Sequence, residues 1–327
     1  MNLLSKFQSN RAERPAGQVI VTIDTEAQPA RAAGDHVKKL IIGDYGDDNF
    51  GILRMMDIAD ANGIKLVFFF DYAEYDLWGE ELLDAAREID RRGHDLQLHI
   101  HPEFISAERF AKFGAERKVK FADMQDQVAG RLVDYILDLH GQCTKKKARA
   151  FRGGGYRFSS SILKALHERG IYYASNDNAF YDQGRLPSVP RSTFQWDNGI
   201  VEFPVSTIEG FLGLNGTRPY YFDMACLSRP KFTREICVER HGKFVDQYLG
   251  DFPDSFAVMV LHSWSFCDKS EEGYRTIPNP ESAERFDAVL QTLTRTHEFT
   301  TFKQLAHKKY GLHRADDLGS PVALLAP

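Results

Sequence analysis

Along most of the chain, short apolar runs alternate with stretches of helical spacing. Residues 18–23 (QVIVTI) are a run rich in β-branched side chains, which predicts a buried strand. From residue 50 to 61 the apolar positions recur at helical spacing, and Asn62-Gly63 stops that helix. KLVFFF at 65–70 is the next strand, 80–92 a helix ended by Gly93, and DLQLHI at 95–100 a third strand. The pattern goes on with a helix over 125–140, a strand over 148–151, a helix over 159–169 stopped by Gly170, and a strand over 171–174. Residues 200–205 read as a strand whose end Pro204 places at an edge or loop. FAVMVL at 256–261 is another strand, and 281–296 the last long helix.

Strands that alternate with helices of this length make βαβ units and a parallel sheet, and this many units favour a closed or nearly closed α/β barrel over an open sheet. The pattern predicts one domain with its core at about residues 18–310 and polar tails at both ends. Two stretches break the alternation, 27–48 and 211–231. Both are rich in Gly, Pro, Asp and aromatics, and read as long loops able to cover a site.

Composition narrows the class. With 43% hydrophobic and 27% charged residues in 327, the chain is ordinary globular protein. A net charge of −5 disfavours nucleic acid as the main partner. No apolar run approaches a membrane span, and the polar first residues lack the apolar core of an export signal, so the expectation is a cytoplasmic protein. Cys143, Cys226, Cys237 and Cys267 are far apart without CxxC spacing, which suits free thiols in a reducing compartment.

In parallel α/β folds, functional residues gather where strands end. The first strand runs into Asp24-Thr25-Glu26, the second into Asp71, and the third into His99-Ile100-His101-Pro102. The strand at 148–151 runs into Arg152-Gly153-Gly154-Gly155-Tyr156, the next leads to Asn176-Asp177, and the late strand to His262-Ser263-Trp264. An HxH triplet arises by chance roughly 0.4 times in a chain with 11 histidines in 327 residues, so placement carries the argument. Two apart on a strand, His99 and His101 share a face and can chelate a divalent ion; a carboxylate from Asp24 or Glu26 completes a three-ligand site. The Gly run lets backbone approach a ligand and offers N–H groups to an oxyanion; it lacks the GK[ST] ending of a phosphate loop. His262 is a candidate general acid over an apolar wall at Trp264. Asp71 either lines the site or caps a helix.

In this order the motifs resemble the polysaccharide deacetylase family (NodB-homology, carbohydrate esterase family 4), over about residues 19–306. Thr22-Ile23-Asp24-Thr25-Glu26 is similar to its first motif, and Gly93-His94-Asp95-Leu96 leading to His99 and His101 to its second. Arg152-Gly153-Gly154-Gly155-Tyr156 is similar to the third motif and Leu261-His262 to the fifth. The resemblance implies a distorted (β/α) barrel of about seven parallel strands and a divalent metal: zinc first, with cobalt, manganese or nickel as alternatives. It also implies a hydrolase removing an acetyl group from an N-acetylated sugar or glycan intermediate, in the branch linked to surface-polysaccharide biosynthesis. Carried over, Asp24 is the general base, Arg152 its orienter, His262 the general acid, and His99 and His101 metal ligands. Gly155, Tyr156, Trp264 and Asp71 fall to the substrate side. The family's second acid is replaced by Thr25, so Glu26 must supply the ligand carboxylate, or Asp24 itself binds the metal; the proline of the third motif is absent.

Other readings are a different metal-dependent amidohydrolase and a catalytically inactive glycan-binding member. In cyclic amidohydrolases HxH follows the first strand, and here it follows the third. Thr25 is the feature that favours an inactive member.

Overall fold

The computed structural model describes residues 18–118, 120–180, 191–209, 220–221, 232–305 and 313–314. The predicted Cys226, most of the 211–231 loop, and the chain termini lie outside the described residues.

The sheet is built from β1 (Gln18–Thr25), β2 (Val67–Asp71), β3 (Asp95–Ile100), β4 (Ala150–Gly153), β5 (Tyr173–Ala174), β6 (Val201–Glu202) and β7 (Phe256–His262). Their order is β7-β1-β2-β3-β4-β5-β6, every neighbouring pair parallel. Beyond β6 the short strand Phe194–Gln195 pairs antiparallel, and Glu298–Phe299 adds to β1. This is the curled parallel sheet that the alternation predicts. Its two ends meet through one residue. The Ser206 amide donates to the Val258 carbonyl at 3.1 Å, and its hydroxyl accepts from the Val258 amide at 2.8 Å. β6 is shorter than the apolar run at 200–205 suggests, because Pro204 offers no N–H to a ladder.

Helices cover the outside: α1 (Ile52–Ala61), α2 (Glu80–Arg91), α3 (Asp126–Cys143), α4 (Ser160–Glu168), α5 (Arg234–Asp251) and α6 (Pro280–Leu293). Gly63, at φ 70°, follows α1 in a left-handed conformation that only glycine adopts without strain. The helix α5 is absent from the sequence reading. Its buried positions (Cys237, His241, Phe244, Val245 and Tyr248) are sparse, Ile236 on its first turn is exposed, and Gly242 interrupts it. The loop at 27–48 contains a π-helix, Val37–Ile42, that buries Val37, Leu40 and Ile41.

Side-chain alternation sorts the sheet into two cores. Val19, Val21, Ile23, Phe68, Phe70, Leu96 and Leu98 face the helices. Ile20, Val67, Phe69, Val201, Phe203, Phe256 and Val258 face inward and, with Phe302, form a floor inside the curl. Moving up the same inward rows, the residues turn polar. Cys143, Cys237 and Cys267 are buried. No helix among the described residues is long and apolar enough to cross a membrane.

Candidate metal centre

The inward rows end at the carboxyl edge of the sheet. Register aligns Asp24 with His262 on one side, Asp71 with His99, and His99 with Arg152. The sequence pattern therefore becomes a ring of facing side chains.

Glu26, His99 and His101 are buried, and one ligand atom from each lies within 4.8 Å of the others. Glu26 Oε2 is 2.7 Å from His101 Nε2 and 3.8 Å from His99 Nε2. Donors around a tetrahedral zinc ion stand roughly 3.4 Å apart, given bond lengths near ~2.1 Å, so these separations bracket the requirement. The Gln28 amide nitrogen sits against two of the three donors, 2.5 Å from Glu26 Oε2 and 3.4 Å from His101 Nε2. A positively polarised group thus already rests where a cation would. One carboxylate and two imidazoles, buried and converging, fit a divalent transition metal. Of the two carboxylates left open by sequence, the one beside the histidines is Glu26. Thr25 turns away, its hydroxyl donating to the Ile23 carbonyl at 3.3 Å.

Charge is strongly coupled here. Burial pushes Glu26 up, but His101 beside it, with His262 and His99, overrides this and holds the carboxyl well below the usual range. Burial lowers His101, and Glu26 more than reverses it, leaving this ring well above an ordinary histidine. Burial pushes His99 down to about 4 against the pull of Asp24, so its ring is neutral, as a ligand must be.

Asp24 also acts on His99, and is itself anchored by Arg152. Its Oδ1 accepts from Arg152 Nη1 at 2.6 Å. Arg152 is fully buried and spans the interior, with Nη1 also donating to Thr22 at 2.9 Å and Nε and Nη2 to the Ser175 carbonyl and hydroxyl. Its guanidinium lies 4.4 Å from the Phe69 ring centroid. Across the rim, His262 is 40% exposed at its side chain, and its Nε2 is 3.5 Å from Glu26 Oε1.

Trp264 is 5% exposed and clusters with Ala32 and Leu40. It is no open wall. Its ring stacks under His262 at 5.0 Å, with the Arg31 guanidinium 5.5 Å from it. Asp71 both caps and lines: its Oδ1 accepts from the Ala73 amide at 3.1 Å and the His101 amide at 3.2 Å. Burial pushes it up to about 8, with His101 opposing and Glu26 adding. At the Gly run, a Cβ on Gly154 would stand 2.4 Å from the His101 ring, and one on Gly153 1.7 Å from the Arg157 carbonyl. Those two glycines make room for the protein's own packing; Gly155 is the exposed one, followed by Tyr156 at φ 62°. Tyr156 is half-buried, 5.9 Å from the Arg152 guanidinium.

Sequence reasoning missed four neighbours: Gln28, Glu74, Glu103 and Arg157. Glu74 is a fully buried acid whose Oε2 accepts from the Ala27 amide at 2.5 Å. Burial raises its pKa well above the usual range, reinforced by Asp71 and Glu26. Only Glu103 had a sequence signal, two residues beyond His101, and the chain turns there into the 3-10 helix Pro102–Phe104.

No protein-family model matches this sequence, and no curated protein matches it. Solved structures match the fold. A protein described as a polysaccharide deacetylase from Mycobacterium smegmatis aligns over 92% of this chain and 96% of its own, at 13% identity and TM-score 0.54. A GH57-type branching enzyme from Pyrococcus horikoshii aligns over 91% of this chain and 72% of its own, at 12% identity and TM-score 0.51. A peptidoglycan N-acetylglucosamine deacetylase aligns over 91% and 92%, at 12% identity and TM-score 0.46. The chain therefore shares the curled-sheet fold of the first two, a fold that carries more than one activity.

Proposed function

We propose that this chain is a metal-dependent hydrolase that removes the acetyl group from an N-acetylated sugar or glycan intermediate, within one catalytic domain over about residues 18–310. The reading extends to surface-polysaccharide biosynthesis as the setting, and to zinc as the ion. The observation that carries it is the division of labour between neighbouring carboxylates. Glu26 faces two imidazoles, while Asp24, on the same strand end, is held 2.6 Å from Arg152.

Glu26, His99 and His101 would hold the ion, which when bound supplies Lewis acidity toward water and the acyl oxygen. The remaining work falls to the chain. Asp24, fixed by Arg152, takes the proton from the attacking water. Amide cleavage then needs a proton on the departing nitrogen, and His262, at the edge of the solvent-facing rim, delivers it. The C–N bond breaks as the new C–O bond persists, giving acetate and a free amine. The Gly153–Tyr156 turn follows the end of β4, beside His101, and is the candidate source of backbone donors for the oxyanion.

The shared fold of a branching enzyme raises glycosidic cleavage as a rival. That chemistry needs two carboxylates free to flank a glycosidic bond. Here Asp24 and Glu26 are committed, one to guanidinium and one to imidazoles, and the other rim acids, Asp71 and Glu74, are fully buried, which favours attack at an acyl carbon.

The test is acetate release from nucleotide-linked, lipid-linked and free N-acetylated sugars and from chitin. Release should stop with chelator and return with zinc. Zinc-loaded protein that binds these sugars but frees no acetate from any of them would establish the inactive, glycan-binding alternative.

A further inference from the structure

His101 is the most heavily supported side chain of the centre. Its Nε2 faces Glu26 at 2.7 Å, and its other nitrogen, Nδ1, is 3.1 Å from Glu103 Oε1. That same Glu103 oxygen accepts from Arg157 Nη2 at 2.5 Å. Arg157 in turn uses Nε to donate to the Gly154 carbonyl at 2.8 Å. Gly154 lies flat against the His101 ring, where a Cβ would come within 2.4 Å. Arg117 fixes the start of the chain, donating to the Glu103 carbonyl at 2.5 Å and the Ile105 carbonyl at 3.2 Å. The contacts form a closed loop: His101 to Glu103, to Arg157, to Gly154, and back onto the His101 ring.

We infer that Glu103 and Arg157 are positioning residues that fix His101 as a metal ligand and tie the Gly153–Tyr156 turn to it. The inference rests on the reading of His101 as a ligand. Imidazole binds an ion through one nitrogen only when its proton sits on the other, and a carboxylate on Nδ1 would keep a proton there while the ion takes the place of the Nε2 proton that faces Glu26. Arg157 suits this because a guanidinium donates in two fixed directions at once, here to Glu103 and to the turn. The turn that presents Gly155 and Tyr156 to substrate is thereby registered against the ion through one side chain. Neither residue touches the position of the reacting atoms.

The test measures zinc affinity by competition with a chromophoric chelator, together with the thermal stability of the metal-free protein. Losing such a partner costs ~10–100-fold in metal affinity. Glu103→Ala should weaken zinc by that factor, and Glu103→Gln, which keeps an acceptor oxygen, by less. Metal-free melting should stay close to wild type in both. Arg157→Met should also weaken zinc, and the double variant should lose less than the product of the two single losses, because both break one loop. In zinc-loaded wild type, histidine ¹⁵N spectra should show His101 protonated at Nδ1, and zinc-loaded Glu103→Ala should lose that preference. Wild-type zinc affinity retained in Glu103→Ala, or strictly multiplicative losses, overturns the relay while leaving the metal centre standing. A wild-type protein that binds no zinc overturns both.

Discussion

The floor and the rim of the curl are made by the same rows of the same strands, two residues apart, yet they differ in kind. On the floor, inward positions such as Ile20, Val67, Phe203 and Phe256 are apolar and buried, and Asp95 and Gln97 beside them are paired. Asp95 accepts from Gln97 at 2.7 Å and the Lys303 amide at 2.9 Å, and Gln97 accepts from the Arg149 and Ala150 amides at 2.8 Å. On the rim, Asp71 Oδ2, Glu74 Oε1 and His99 Nδ1 are buried without a hydrogen-bond partner. Native interiors seldom leave such atoms unmatched.

That contrast predicts that rim and floor fail separately. The largest effect is expected for the double variant His99→Ala, His101→Ala, which should lose the ion entirely by elemental analysis while keeping a folded circular dichroism spectrum. Full metal occupancy in that variant would remove Glu26-His99-His101 as the site. Next is His262→Ala, which should keep fold and metal but lose ~10²–10⁴-fold in amide hydrolysis, with a smaller loss on activated esters, whose leaving groups need less protonation. Release of the metal instead would make His262 a ligand. On the floor, Phe203→Ala should cost about 3–5 kcal/mol in denaturant unfolding yet leave metal stoichiometry at wild type.

The smallest effect concerns pH. His94, at the start of β3 and outside the centre, accepts from the Leu66 amide at 3.1 Å, and burial pushes its pKa down to about 4. Below its ordinary value the unfolded chain takes up a proton that the folded ring refuses. Stability should therefore fall as pH drops from about 6.5 toward 4, by at most about 3 kcal/mol. His94→Asn should flatten that part of the profile; an unchanged slope would show that other groups cause it.

The floor and the rim were unequally legible in the sequence. Period-two alternation exposes a strand's inward row, so His99 and His101 could be placed on one face, and strand ends located Asp24, Glu26, Arg152 and His262 together. Which of Asp24 and Glu26 faces both imidazoles was not legible, since it depends on which carboxylate Arg152 reaches from β4 across the interior. Gln28 and Arg157 act from loops, where no periodicity fixes direction. Trp264 reads as an apolar wall beside His262 on the substrate side; it stacks under His262 but is buried, because the irregular segment at 27–48 packs Ala32 and Leu40 against it. The helix α5 shows the opposite failure, a regular element whose apolar stripe is too thin to announce itself.

Arg152 belongs to neither end of the barrel. Its donors reach Thr22 and Asp24 on β1 and Ser175 beyond β5, so one side chain staples strands from opposite walls as well as aligning a carboxylate. A lost rate after its replacement is therefore a confounded measurement: removing the guanidinium strands four acceptors in a dry interior and reshapes the chamber in which any rate is read. The informative experiment at this position is a rescue. Guanidinium in solution returns the hydrogen bonds without the tether, and whatever activity it restores separates the charge from the staple.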